Sequence, residues 1–271
     1  MNNTLEVTPH PGWRMNELSL FTGTGGGVLG TTLLGFNHVG YVEFNEYCQR
    51  VLKQRIADGF INEAPIFGDI RSFIDQGFAR AYQGMVDVIS AGFPCQPWSV
   101  SGEQKGGDDE RNMWPSTIEA IRQVGPRFVL LENVPGIVRF DYFGTILGDL
   151  ADAGYNAEWG IVSASSIGGC HVRDRLWILA YTDSDRLQRR QKSGGCKKSG
   201  ERRKEQFERL HAAGLGVKKA NPRTFGSDDV SPNRVDRLKA IGNGQVPQCV
   251  ELAWRLLAER AGLEAEFTAG R

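Results

Sequence analysis

Cys95 is the residue in this sequence best suited to nucleophilic chemistry. It lies between Pro94 and Pro97, and each proline fixes its own φ and restricts the residue before it to extended conformations. The apolar run Met85–Ile89 predicts a buried strand, and open α/β sheets bind ligands just past the C-terminal ends of such strands. A lone cysteine is more often a small core residue, but packing alone requires no flanking prolines. We therefore interpret Cys95 as a nucleophile held in a stiff loop.

Glu132 supplies a carboxylate at the end of another predicted strand. The segment Phe128–Pro135 is typical of a buried strand, and Glu132 stands near its C-terminal end. In one interpretation Glu132 simply begins a loop and meets water. Because parallel neighbouring strands end at the same edge of a sheet, we expect Glu132 to lie near Cys95 instead.

Arg173 and Arg175 precede a further apolar run, Leu176–Ala180. Their spacing is that of a strand, which would put both side chains on one face. Two guanidinium groups on one face can bind an anion or the edge of a base together. Paired surface charges are the competing interpretation.

A glycine-rich turn lies near the start of the chain. Leu18–Phe21 predicts a strand, Thr22–Gly27 a turn and Val28–Phe36 a helix. This order brings backbone N–H groups and a helix N-terminus towards a ligand. Gly25–Gly30 also satisfies GxGxxG, although the match is weak evidence in so glycine-rich a run.

Two acidic residues lie near the C-terminal ends of the next two predicted strands. Glu43 ends the strand Gly40–Glu43, at about the distance past the glycines where nucleotide-binding folds place a carboxylate against ribose hydroxyls. Asp69 stands within a third predicted strand, Ile66–Ile70. Glu43 could equally be an exposed strand-end residue, and Asp69 could cap the following helix. Together with the glycine turn, these strand ends outline an adenosine pocket.

The composition predicts a globular protein with reduced thiols. The chain has 271 residues and a formal net charge of zero, enough for one large domain, alone or with a small insert. Its cysteines are widely scattered and form no CxxC pair, which argues against disulfides and a zinc or other metal site. No apolar stretch is long enough to cross a bilayer. We expect a soluble, cytoplasmic protein.

Positive charge is concentrated in the segment Asp183–Asp229. It holds thirteen Lys or Arg against seven Asp or Glu, a local net charge of +6, so the rest of the chain carries −6. Such a segment suits phosphate binding, because each phosphate contact releases counterions. A disordered, solvated loop is the alternative, and order on binding would reconcile the two.

The remaining patterns complete a mostly parallel, doubly wound α/β sheet. We predict a loose tail over 1–14, a polar flap over 101–112 and further regular elements at Met113–Val124 (helix), Ile146–Ala153 (helix), Tyr155–Val162 (strand) and Gln248–Arg260 (helix). The predicted organisation is a catalytic domain over 15–182, a basic segment over 183–233 and a C-terminal part, 234–271, that packs back onto the domain.

In order along the chain, these motifs resemble those of the S-adenosylmethionine-dependent DNA cytosine-5 methyltransferases. The matching segments are Phe21–Gly26 (cofactor loop), Pro94–Gln96 (nucleophile motif), Glu132–Val134 (catalytic glutamate motif), Arg173 and Arg175 (active-site arginines) and Arg234–Val246 (final pair of motifs). The resemblance implies a Rossmann-like methyltransferase fold with a short basic target-recognition insert.

The resemblance also implies roles for individual residues. Catalysis would fall to Cys95, Glu132, Arg173 and Arg175. The cofactor S-adenosylmethionine would be bound by Phe21, Gly23, Gly25, Glu43, Phe44, Asp69, Ile70, Pro94, Asn243 and Val246. Contacts to double-stranded DNA would come from Gln96, Ser99, Ser101, Lys105, Arg189, Arg190, Arg202, Arg203 and Lys204.

The implied reaction is methylation of carbon 5 of a cytosine that has been flipped out of the duplex, through a covalent bond between Cys95 and carbon 6. Thr22 replaces a more usual alanine, and His171 stands where glutamine is frequent. The recognition region is short and poor in aromatic residues. A weakly active DNA-binding relative is therefore one alternative. Another is an RNA cytosine-5 methyltransferase, because the same catalytic core resembles that of a transfer-RNA methyltransferase. The resemblance further implies a monomer in the cytoplasm of a bacterial or phage-infected bacterial cell, with a restriction endonuclease as its expected companion. An NAD-dependent dehydrogenase ranks last among the alternatives, because it gives the Cys95 loop no purpose.

Overall fold

The computed structural model describes residues 15–94, 112–169, 171–182, 236 and 242–263. The predicted N-terminal tail, the Cys95 loop and the basic segment lie outside these residues. The described part contains seven strands and seven α-helices, in the order β1 (Asn16–Leu20), α1 (Gly26–Leu33), β2 (Asn37–Val42), α2 (Glu46–Ala57), β3 (Ile66–Phe67), α3 (Ile70–Asp75), α4 (Phe78–Ala81), β4 (Val88–Ala91), α5 (Trp114–Val124), β5 (Phe128–Asn133), α6 (Asp141–Asp152), β6 (Asn156–Ser163), β7 (Asp174–Tyr181) and α7 (Pro247–Arg260). Short 3₁₀ helices span Pro135–Arg139 and Ala164–Ile167.

The strands form one sheet in the order β3-β2-β1-β4-β5-β7-β6. Every pairing from β3 to β5 is parallel, whereas β7 runs antiparallel to both β5 and β6. The prediction of a mostly parallel, doubly wound sheet is thus confirmed. Strand order reverses between β1 and β4, and α/β sheets bind ligands beside such a switch point.

Helices cover both faces of the sheet, which explains why the residues of the central strands are buried. All six residues of β5 are buried, as expected for a strand with helices on either side. On one face, α3, α5 and α6 share a core with Leu18 and Leu20 of β1. On the other face, α7 packs through Trp254, whose ring centroid lies 5.0 Å from that of Phe36 and 5.7 Å from that of Phe128.

A buried polar cluster links three strands below the switch point. The carboxylate of Glu17 on β1 accepts a hydrogen bond from the Ser90 hydroxyl on β4. Its other oxygen lies 3.4 Å from Nε2 of His38 on β2. The same His38 nitrogen is 3.1 Å from Oγ1 of Thr31 on α1. Polar groups so deeply buried need such partners, so the cluster ties α1 to the strands that carry the site.

Several predicted element boundaries were wrong, each for a local reason. The strand predicted at Met85–Ile89 starts only at Val88, because Met85 belongs to a turn in which its N–H donates to the Tyr82 carbonyl. The predicted third strand stops at Phe67, because Asp69 already caps α3. The first helix ends at Leu33, because Gly35 turns the chain with a φ of 83°.

None of the helices in the described residues is both long enough and apolar enough to cross a bilayer.

Candidate active site

The C-terminal ends of five strands meet at one edge of the sheet. Register places Leu20 of β1 beside Val42 of β2 and Ala91 of β4. The same alignment continues outwards, with Val42 beside Phe67 and Ala91 beside Leu131. The residues at and just after these strand ends are therefore neighbours, and they are the glycine turn, Glu43, Asp69, Gly92 and Glu132.

The glycine turn after β1 depends on left-handed backbone. Gly23 and Gly25 have φ values of 60° and 84°, and Phe21 has a φ of 53° although it carries a side chain. A non-glycine residue held there costs about 1–3 kcal/mol, and such strain is concentrated at functional sites. Thr22, the departure from the usual alanine, is accommodated because its buried hydroxyl donates to the Ser19 carbonyl at 3.1 Å.

Glu43 is buried and clamps this turn, so the exposed strand-end interpretation was wrong. One carboxylate oxygen accepts the Gly23 N–H at 2.6 Å and the other accepts the Asn45 N–H at 2.7 Å. Burial raises the pKa of the Glu43 carboxyl, while the two N–H donors oppose that shift. Each oxygen retains a further lone pair with which to accept a ligand hydroxyl.

The surroundings of Glu43 fit an adenosine. Phe44 is 76% exposed although it is aromatic and adjoins a buried residue. A Cβ built on Gly23 or on Gly68 would meet no described atom within 4 Å, which leaves space beside the strand ends. Asp69 caps α3 by accepting the Arg71 N–H at 2.8 Å, as the capping interpretation expected, and its second oxygen remains able to accept. Carboxylate acceptors and an exposed ring are the groups that a ribose and a purine require.

Ile70, Pro94 and Val246, which were also predicted to contact the cofactor, differ in exposure. Ile70 is buried at the start of α3, so its side chain belongs to the core. Pro94 is exposed and lies three residues after the end of β4, and Val246 is half-buried and directly precedes α7.

Glu132, the penultimate residue of β5, is a buried carboxylate with a cationic partner. Its Oε1 lies 2.7 Å from Nε of Arg175, the second residue of β7. Burial raises the pKa of Glu132, against the lowering effect of Arg175 and Arg173 and of hydrogen bonds from Gln245 and Arg175. A proton is therefore retained on Glu132 to higher pH than on an ordinary glutamate, which suits a group that shares a proton with a substrate.

Arg173 and Arg175 make different contacts within the protein. β7 begins at Asp174, so Arg173 lies just before the strand. Its Nη2 donates to the carbonyls of Gly242 and Gly244, at 2.8 and 2.6 Å. Arg175 instead pairs with Glu132, and the binding of a ligand by both arginines together remains a prediction. Asn243, which the two carbonyls flank, is exposed.

Asn133 fastens the peptide that leads into the Cys95 loop. Its side-chain amide donates to the Phe93 carbonyl at 3.2 Å and accepts the Val134 N–H at 2.8 Å. The Phe93 ring is buried against Trp114, with centroids 5.3 Å apart. The backbone that follows β4 is thus anchored at Phe93, one residue before Pro94.

Gln245 is a site residue that sequence reasoning missed. A Cβ added to Gly26 or Gly27, in the first turn of α1, would collide with Gln245. A Cβ on Gly92, after β4, would lie 2.8 Å from Gln245 Nε2 and 3.2 Å from Glu132 Oε2. The run of glycines in α1 was a usable signal, because glycine inside a helix often marks a close approach by another segment.

Ten predicted residues lie outside the described part of the chain, and their roles remain predictions. They are Cys95, Gln96, Ser99, Ser101, Lys105, Arg189, Arg190, Arg202, Arg203 and Lys204.

Comparison with known proteins identifies the family. Residues 15–237 match the family model of C-5 cytosine-specific DNA methylases. The chain is 32% identical over 170 residues to the type II methyltransferase M.NgoMIV of Neisseria gonorrhoeae, covering 62% of this chain and 52% of that protein. It is 31% identical over 170 residues to M.NaeI of Lentzea aerocolonigenes, covering 61% of this chain and 40% of that one. The chain spans about half the length of these curated relatives or less.

A solved structure supports the fold. The crystal structure of a Spodoptera frugiperda DNMT2 mutant matches with a TM-score of 0.51 and 21% identity, over 63% of this chain and 50% of that one. Together with the family model, which covers more than half of the sequence, this leads to one conclusion. The chain belongs to the C-5 cytosine-specific DNA methylases, a family whose methyl donor is S-adenosylmethionine.

Proposed function

We propose that this chain methylates carbon 5 of cytosine in DNA. The observation that carries the proposal is the buried Glu132, held 2.7 Å from Arg175 at the end of β5 and next to the end of β4 from which the Cys95 loop departs. The match of residues 15–237 to a family of DNA methylases supports DNA as the substrate.

The cofactor would be held at the ends of β1, β2 and β3. Gly23, Glu43 and Asp69 would supply backbone and carboxylate contacts, and Phe44 would cover the adenine. S-adenosylmethionine supplies a methyl group carried on a positively charged sulfur. Pro94, Asn243 and Val246 would complete its surroundings from β4 and from the segment before α7.

Cys95 would activate the base. Carbon 5 of cytosine is too electron-poor to be methylated directly, so the thiolate adds to carbon 6 and the electrons of the 5,6 double bond move towards carbon 5 and nitrogen 3. Carbon 5 then takes the methyl group, and S-adenosylhomocysteine is left as the product. Carbon 5 next loses its proton, the 5,6 double bond re-forms and the Cys95 sulfur leaves carbon 6. At an unperturbed pKa only about 3% of a thiol is ionised near neutral pH, so the positive charge of Arg175 would favour the reaction.

Glu132 would hold the proton at nitrogen 3 of the ring. As sulfur adds to carbon 6, negative charge builds on the ring, and a proton shared with nitrogen 3 offsets it. Burial keeps the pKa of Glu132 above its ordinary value, so the carboxyl can provide that proton. Arg175 fixes the orientation of the carboxyl through its contact with Oε1.

The reaction requires a base outside the helical stack, and flipping costs about a few kcal/mol. Phosphate contacts from the basic segment 183–233 and from the loop Gln96–Lys105 would offset that cost. In this proposal 15–182 is the catalytic domain and 234–271 its C-terminal part, and the protein acts as a monomer. A restriction endonuclease with the same recognition sequence is the expected companion, since the curated relatives are type II methyltransferases.

The test is trapping on DNA that carries 5-fluorocytosine, because a fluorine at carbon 5 cannot leave as a proton does and the covalent complex persists. With labelled S-adenosylmethionine, the wild-type protein should give a labelled protein–DNA complex that survives denaturation. Cys95→Ala should give none. The matched control is Cys48→Ala, which removes a buried thiol of α2 and should leave trapping intact.

Competing substrates decide the nucleic acid. With equal amounts of DNA and structured RNA, methyl transfer should go to DNA, and transfer to RNA alone would refute the proposed substrate. Binding of DNA without any transfer would favour the weakly active DNA-binding relative. A complex that persists in Cys95→Ala would remove the cysteine from its role.

A further inference from the structure

Gln245 stands between the glycine turn and the catalytic carboxylate. It lies two residues before Pro247, at the start of α7. Its backbone carbonyl abuts Gly26, and its side-chain oxygen abuts Gly27 in the first turn of α1. The same side chain reaches across to Gly92 at the end of β4. One residue thus touches elements on both sides of the switch point.

The side-chain amide of Gln245 adjoins the Glu132 carboxylate beside Gly92 and lowers the pKa of that carboxyl as a hydrogen-bond donor. Its Nε2 and Glu132 Oε2 lie 2.8 and 3.2 Å from the same point, the position of a Cβ on Gly92. An amide N–H donates and a carboxylate accepts. Glu132 is therefore held from two sides, by Arg175 at Oε1 and by Gln245 from the direction of α1.

The orientation of the amide agrees with the charges around it. Its oxygen faces the first turn of α1, where helix N–H groups give a positive end. Its nitrogen faces the carboxylate. Unlike Arg175, the amide carries no charge, so it can position Glu132 without fixing the ionised form as strongly as a second cation would.

We propose that Gln245, wedged between the first turn of α1 and Gly92, is a positioning residue that orients the Glu132 carboxyl. The proposal rests on the proposed function for its effect on methyl transfer. Its effect on titration does not depend on activity. Gln245 would act through Glu132, the group that its amide adjoins.

The test compares Gln245→Met, which keeps the length of the side chain and removes the donor, with Gln248→Met, which makes the same change at an exposed position of α7. The first readout is the titration of the Glu132 carboxyl by carbon NMR in the full-length protein. Loss of a donor to the carboxylate should raise its midpoint by about one pH unit in Gln245→Met. Gln248→Met should titrate like the wild type.

The second readout is the single-turnover rate of methyl transfer, with the dissociation constant of S-adenosylmethionine measured by calorimetry. In Gln245→Met the rate should fall about tenfold, as for the loss of one hydrogen bond to a charged group. The dissociation constant should change less than about twofold, because cofactor contacts are intact. A slower rate with unchanged titration would overturn the proposal, since loss of packing alone gives that result.

If the proposed function were wrong, the activity and titration measurements would give a different combination of results. If the wild-type protein transferred no methyl group to DNA while Glu132 still titrated at higher pH in Gln245→Met, the positioning role would stand and the assigned reaction would fall. An unchanged Glu132 titration would refute the positioning role whatever the activity.

Discussion

A methyl group added at Gly30 would force apart α1 and α7, the helices that follow the glycine turn and Gln245. A Cβ built on Gly30 of α1 lies 2.5 Å from the Pro247 carbonyl oxygen and 2.5 Å from Val250 Cβ. Both contacts belong to α7, and neither atom is at the end of a flexible side chain that could rotate away. Gly30→Ala therefore requires one helix to move by about 1 Å to restore ordinary van der Waals separation.

The size of the effect follows from two opposing contributions. Overpacking of a close-packed interior costs about 1–3 kcal/mol, and the rigid contacts put Gly30→Ala near the upper end. Alanine in a helix stabilises by about 1 kcal/mol relative to glycine. The net loss should be about 2 kcal/mol of unfolding free energy. For a chain of this size, that lowers the melting temperature by roughly 4–8 °C.

Urea unfolding followed by circular dichroism measures this loss directly. The matched control is Gly136→Ala, where an added Cβ would meet no described atom within 4 Å, and its stability should stay within about 0.5 kcal/mol of wild type. A second measurement, binding of S-adenosylmethionine, should weaken in Gly30→Ala because α1 carries the turn. If Gly30→Ala were as stable as Gly136→Ala, the close approach of α1 and α7 would be refuted.

Three further changes test the site. Burial raises the folded-state pKa of Glu132, so the contribution of this carboxyl to stability is greatest below its ordinary pKa and declines as pH rises through the raised value. In urea titrations, the stability of the wild type relative to Glu132→Gln should therefore fall with increasing pH. A rise would mean that the cationic partners outweigh burial. Thr22→Val removes the buried hydroxyl that donates to the Ser19 carbonyl and should lower the unfolding free energy measured in urea by about 1 kcal/mol. The control Thr22→Ser should be about as stable as the wild type. If Thr22→Val were as stable as Thr22→Ser, the role of the hydroxyl would be contradicted. Gly92→Ala would place a Cβ 2.8 Å from Gln245 Nε2, so single-turnover methyl transfer should drop while circular dichroism stays unchanged, and full activity would refute the crowding.

The strand ends could be predicted because their geometry follows from local patterns. Parallel strands end at a common edge, so apolar runs followed by Gly23, Glu43 and Glu132 already indicate a shared site. The capping role of Asp69 is likewise readable from a short polar side chain before a helix. The position of Cys95 relative to Glu132 remains a prediction.

By itself, the sequence determined the order of the elements, the glycine turn and the family motifs, because each depends on residues close together along the chain. The tertiary structure decided the insertion of antiparallel β7 between β5 and β6, and with it the pairing of Arg175 with Glu132 while Arg173 binds Gly242 and Gly244. It also brought Gln245 against Glu132, since that contact exists only where α7 packs on α1. Contacts between distant segments depend on how helices and strands pack together, and no local pattern contains that information.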